Sequence, residues 1–209
     1  MNKATRSIRQ LIIIIFFYPF AISSPTYVEA AILGPSETIK NFQGTLLETM
    51  KNAQKTSIRQ RYKYLAANVK KTFHFPLMVQ IASGNNWQKA SSYERVSLVN
   101  AFQRMSIMTL AALFDGYNGE VFKILGEKEG PQKTTLVSTE LAKTDKSKIS
   151  IIYVTRPFKD GWRIIDVIVD KGISELLIRR SEYKNILKTS GIPGLTKLLE
   201  GKAEEILLR

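Results

Sequence analysis

The sequence predicts an α+β domain: N-terminal helices and two C-terminal helices packed on one four-stranded antiparallel sheet, with an apolar cavity between the layers. Three observations carry the kinds of element and their order. Apolar residues recur at helical spacing from about residue 36 to 117. Alternating runs separated by short turn signals follow, from Glu120 to Lys171. Helical spacing returns after Gly172.

In the first region Ile58, Tyr62, Leu65, Val69 and Phe73 step by four, three, four and four, a single apolar stripe. Lys51, Lys55, Arg59 and Lys63 step by four on a different face. Ser91 and Glu94 have the spacing of a capping box. The helix they open turns apolar almost all round from Met105 to Phe114, so it is expected to be buried on every side, at the centre of the molecule.

The strands "EVFKILGE", "KTTLVSTELA" and "KISIIYVTRPF" lead to a fourth that begins at Gly161. Turns at Glu129-Gly130-Pro131, Thr144-Asp145-Lys146 and Lys159-Asp160-Gly161 make them a meander. A period of two puts Ile165, Val167 and Val169 on one face of the last strand. The other face carries Trp162, Ile164, Asp166, Ile168 and Asp170. A helix then runs from about Ser174 to Ser190 and stops at Gly191, and another begins near Pro193, a residue suited to a first turn.

The N-terminus has its own pattern. Lys3, Arg6 and Arg9 precede the apolar run "LIIIIFFYPF", and Val28 and Ala30 stand at −3 and −1 of a cleavage site. That is a secretory signal peptide over residues 1–30, leaving one domain over 31–209. The competing reading, an uncleaved anchor, has a run short of the ~20 residues of a span. No cysteine occurs in the chain, which excludes disulfides, thiolate metal sites and a lipidated N-terminal cysteine. The net charge is +13; removing Lys3, Arg6, Arg9 and Glu29 takes it to +11. For an exported protein, such charge points to anionic head groups or an acidic partner surface rather than nucleic acid.

Enzyme signatures are sparse. His74 is the one histidine, and no acidic cluster stands near it at metal-ligand spacing, so it reads as a packing residue and no metal or cofactor is expected. The alternative to a binding protein is an exported enzyme with Asp166 or Asp170 as a carboxylate general base in a hydrophobic pocket. An adaptor that docks through its basic face and holds no ligand is a third class.

The apolar residues are more informative. The helical region supplies Phe73, Phe75, Met78, Phe102 and Met105 as cavity-lining candidates, and its exit supplies Leu113, Phe114, Tyr117 and Phe122. The strands and the turn into the next helix add Val154, Ile165, Val167, Val169, Ile173 and Leu177. This is more apolar surface than a simple two-layer contact uses, although periodicity does not separate a filled core from a lined one. Lys55, Arg59 and Lys63, and the pair Arg180 and Lys184, are candidates for contact with a partner or head group. Arg179 has Glu175 and Glu182 within helical reach instead.

Two blocks resemble a known family. "FHFPLMVQIASGNNWQKASSYERVSLVNAF" (73–102) is similar to its apolar-Leu-Gly-x-x-Trp block and the capped helix after it, with Ser83 and Asn85-Asn86 departing from the pattern. "GWRIIDVIVDKGISELLIRRSEYKNILKTSGIPGLTKLL" (161–199) is similar to its Trp-x-x-x-Asp strand, Ser-capped helix and Gly-x-x-Gly-Leu finish. The family is MlaC, the toluene-tolerance auxiliary component of an ABC lipid transport system. "ISELLIRRSEY" further resembles the hopanoid-associated branch called HpnM. The resemblance implies a monomeric periplasmic shuttle, not an enzyme, that carries phospholipid or a hopanoid-type lipid. It implies delivery between an outer-membrane lipoprotein complex and the substrate-binding complex of an inner-membrane ABC transporter, with transient membrane contact. Acyl chains would sit between helices and sheet, with the head group near solvent. A partner would then have to open the pocket, since ~0.8 kcal/mol per buried CH₂ makes tail binding strong.

Overall fold

The computed structural model of the chain describes residues 33–208 except Lys171; the expected signal peptide lies outside the described residues. Five helices come first: α1 (Pro35–Lys51), α2 (Ile58–Thr72), α3 (Phe75–Ser83), α4 (Asn85–Lys89) and α5 (Ser92–Leu113). The strands β1 (Val121–Glu129), β2 (Thr135–Ala142), β3 (Lys148–Phe158) and β4 (Gly161–Val169) follow, then a two-residue β5 (Ile173–Ser174) and α6 (Glu175–Leu207). The sheet is antiparallel in the order β1-β2-β3-β4-β5. It thus has five strands rather than four, the fifth too short to show as an alternating run.

The helix boundaries have chemical causes. Ser91 Oγ accepts from the Glu94 N–H at 3.2 Å while Glu94 Oε2 accepts from the Ser91 N–H at 2.8 Å, and α5 starts there. Ser57 and Gln60 make a second capping box, so a new helix begins at Ile58. That break corrects the basic stripe: Lys51 ends α1, Lys55 lies in a 3₁₀ turn, and only Arg59 and Lys63 share α2. The apolar stripe on α2 does face inward, with Leu65 and Val69 buried and Phe73 at the helix end buried beside them. The closing helix changes direction at Gly191 (φ 60°, ψ −160°), a conformation that favours glycine, and Pro193 follows it. Tyr183, Leu187, Ile192, Leu195 and Leu199 are buried on both sides of this break.

A bulge decides which side of β4 faces the helices. Val154 pairs with Asp166, but Thr155 pairs with Ile164, leaving Ile165 as the extra residue. Ile164 therefore takes the inner position: it is fully buried and bridges to Phe73. Strict alternation had placed Ile165 there. Beyond the bulge Val167 faces inward opposite Tyr153, and Val169 opposite Ile151.

At the opposite end of the helix layer His74 holds the start of α3. Its Nδ1 accepts from the Leu77 N–H at 3.1 Å, its own N–H donates to Ile164 O at 2.9 Å, and its ring stacks on Phe158 with centroids 4.0 Å apart. Burial lowers its pKa, with Arg163 and Arg156 adding to the effect against an opposing backbone hydrogen bond and Asp160. The folded chain thus takes up this proton less readily than the unfolded chain, where histidine titrates near ~6.5. The stabilising contribution is complete above that pH and is lost as the pH falls through the folded pKa. Urea midpoints should drop more between pH 7.5 and pH 5 in the wild type than in His74→Asn, whose side chain still caps but does not titrate. Parallel declines in the two proteins would refute the assignment.

Candidate functional site

The sheet and helices do not close on each other. A cavity of about 780 Å³ lies between them. Its floor is aromatic: Phe42 meets Phe73 edge-on with centroids 5.2 Å apart, Phe73 stacks on Phe75 at 5.7 Å, and Phe75 meets Phe102 at 6.1 Å. The four rings are buried, and edge-to-face contacts of this kind fix them in place. Leu46, Met50, Met78, Met105 and Leu110 form the helical wall. Leu141, Ile149, Ile151, Tyr153, Val167 and Val169 form the sheet wall. Burial pushes the Tyr153 phenol up to about 12.

The mouth lies where chain ends converge. The end of α5, the start of β1, the end of β2, the start of β3, the end of β4 and the start of α6 all meet at one end of the sheet. There the lining changes character to Asp115, Gly116, Asn118, Glu120, Lys143, Glu175 and Arg179. Arg61 secures this end, donating from Nε to Ala111 O at 2.8 Å and from Nη1 to Thr56 O at 2.7 Å.

Nine of the fifteen lining candidates border the cavity: Phe73, Phe75, Met78, Phe102, Met105, Leu113, Phe114, Val167 and Val169. The other six lie elsewhere. Val154 points to the opposite face of the sheet from its neighbour Tyr153, and Ile165 is the bulged residue. Phe122 lines a separate 340 Å³ recess under α1. Tyr117, Ile173 and Leu177 stand exposed just outside the mouth, each next in sequence or in register to a lining residue. The expectation that α5 is buried all round also fails at its end, since Leu113 is 69% exposed. One side of that helix faces the cavity instead of protein.

The charged candidates are redistributed too. Lys55, Arg59, Lys63, Arg180 and Lys184 are exposed, and none borders the cavity. Arg180 turns away, its guanidinium within 4 Å of where a Cβ on Gly84, at the end of α3, would sit. Arg179 is the residue at the mouth, with Nη1 donating to Glu182 Oε2 at 3.1 Å.

Neither carboxylate of the enzymatic alternative reaches the cavity. Asp166 Oδ1 accepts from the Val167 N–H at 2.8 Å and the Leu176 N–H at 3.1 Å, while Oδ2 accepts from Ser174 Oγ–H. Ser174 in turn caps α6 by accepting from the Leu177 N–H. Asp166 therefore joins β4 to the start of α6. Asp170 is exposed in a turn with φ 45°. Among the described residues, no group of three His, Cys, Asp or Glu side chains is placed to hold a metal ion.

A family model described as "MlaC protein" matches residues 40–201. The chain belongs to the MlaC family. The match takes in every helix and strand described above except the first five residues of α1 and the last six of α6. No curated protein matches the sequence. Among solved structures, the phospholipid-binding protein from Ralstonia solanacearum in complex with a phospholipid has the same fold. Its TM-score is 0.71 at 15% identity, over 81% of this chain and 97% of that one. The MlaC membership and the cavity together identify a lipid-binding protein, and neither Asp166, held in three hydrogen bonds, nor Asp170, exposed in a turn, lines that cavity.

Proposed function

We propose that the protein is a periplasmic carrier that takes up one phospholipid and shuttles it between an outer-membrane lipoprotein complex and an inner-membrane ABC transporter. Residues 1–30 would direct export and be removed by cleavage after Ala30. The observation that carries the reading is the cavity, apolar along its walls and charged only at its mouth. The Ralstonia protein of the same fold was solved with a phospholipid, which supports a phospholipid rather than a hopanoid as cargo.

The energetics suit a carrier. At about 30 Å³, the share of one water in the liquid and close to the size of a methylene, 780 Å³ accommodates roughly 26 such groups, most of the tails of a diacyl lipid. Against water their burial is worth on the order of 20 kcal/mol. Against a bilayer it is worth little, because the tails leave one apolar medium for another. Uptake and delivery at a membrane are thus close to balanced, while loss to water between membranes is prevented.

Solvent extraction of protein purified from its own periplasm, followed by mass spectrometry, tests this. The carrier reading expects phospholipid at close to one per chain. A hopanoid in its place would change the cargo, and protein free of lipid would refute the carrier.

The basic surface has its own test. Lys55, Arg59 and Lys63 stand outside the cavity, so reversing all three to glutamate should slow delivery to transporter-containing liposomes several-fold at low salt without reducing bound lipid. Arg180→Glu with Lys184→Glu is the parallel variant. Delivery indifferent to these changes and to salt would leave the charge a solubilising coat.

A further inference from the structure

The mouth of the cavity differs in charge from the chain that surrounds it. The protein carries +13, yet three carboxylates (Asp115, Glu120, Glu175) and two cations (Lys143, Arg179) border the opening. They fall on two sides. Val121 pairs with Ala142, which puts Glu120 and Lys143, one residue further on each strand, at the same end of the β1–β2 ladder. Glu175 and Arg179 lie one turn apart on α6, beyond the far edge of the sheet. Asp115 stands just after the end of α5.

Little of this charge is used internally. Among the described residues Asp115, Glu175 and Lys143 form no ion pair. Glu120 accepts only from the Asn118 N–H, through Oε2, and Arg179 has Glu182. Each side of the opening therefore offers both signs to whatever projects from the cavity.

Resting on the carrier reading, we propose that this mouth selects phospholipid head groups that carry an amine beside the phosphate, over those that carry the phosphate alone. Lys143 and Arg179 meet the phosphate, and the carboxylates meet the ammonium. A head group without the ammonium leaves three carboxylates facing an anion. One exposed ion pair shifts an equilibrium by about two- to five-fold, and salt screens it.

The test offers delipidated protein to vesicles with equal amounts of phosphatidylethanolamine and phosphatidylglycerol bearing identical tails. The protein is recovered and its lipids are weighed by mass spectrometry as a ratio, so total loading does not enter. The expected ratio is about three to one for phosphatidylethanolamine, falling toward one in 0.5 M salt. In the triple variant Asp115→Asn, Glu120→Gln, Glu175→Gln the ratio should also be close to one, and the three single variants should each lower it. A wild-type ratio of one or less overturns the head-group inference and leaves the carrier standing. An undiminished ratio in the triple variant overturns the assignment to these carboxylates. Protein that takes up neither lipid overturns the carrier reading, and this inference with it.

Discussion

Met105→Trp and Val167→Trp each expel the bound lipid while the domain stays folded. Both residues border the cavity from opposite walls, Met105 on α5 and Val167 on β4. An indole at either position takes space that the tails would fill. Excluding even three methylenes removes about 2.4 kcal/mol, roughly sixty-fold in affinity. Overpacking an ordinary core costs about 1–3 kcal/mol because the added atoms have nowhere to go. Here they enter a 780 Å³ cavity, so the melting temperature should move by only a few degrees. The check is phospholipid per chain by mass spectrometry beside thermal unfolding. Variants that stay folded and keep a full complement of lipid would show these positions to be ordinary core.

Asp166→Ala produces the largest loss of stability expected from any single polar change at the site. The carboxylate accepts three hydrogen bonds, two of them from the Leu176 N–H and the Ser174 hydroxyl at the start of α6. A negative charge there also meets the positive end of the helix dipole. Hydrogen bonds to a charged group contribute about 1.5–3 kcal/mol, so a total near 3 kcal/mol and a melting point about 6–12 °C lower are expected. Asp166→Asn keeps one acceptor oxygen and should lose roughly half as much. Lipid binding should fall with stability, because Glu175, Leu176 and Arg179 of the same turn border the cavity. A base acting on a substrate would give the opposite pattern: normal melting and lost turnover.

Residues whose neighbours in sequence set their structure were legible. Ser91 and Glu94 announce α5, and the turns at Gly130, Asp145 and Gly161 separate strands whose limits match the apolar runs. Ser57 and Gln60 carry the same capping signal, but the four-residue spacing of Lys51 to Lys63 runs through it and hides the break between α1 and α2. The bulge at Ile165 left no mark either, since both faces of "RIIDVIV" are largely apolar and a slip of one residue keeps the pattern plausible. That slip separates Ile165 from the inner face. On β3 the same two-sided apolarity concealed that Tyr153, and not Val154, looks into the cavity. Phe42, Leu46 and Met50 on α1 were missed although Ile39, Phe42 and Leu46 make a helical stripe. A stripe says that a face is covered and is silent on whether protein or ligand covers it. The choice between Arg179 and Arg180 depends on the direction of α6 relative to the opening, which only the packed chain defines.

A crystal structure of the protein purified with its natural cargo settles where that cargo lies. Density for two acyl chains should run from the mouth at Asp115, Lys143 and Arg179, between Met105 and Val167, to the rings of Phe73 and Phe75. An empty or collapsed space between those walls, with lipid on another surface or none at all, would contradict it.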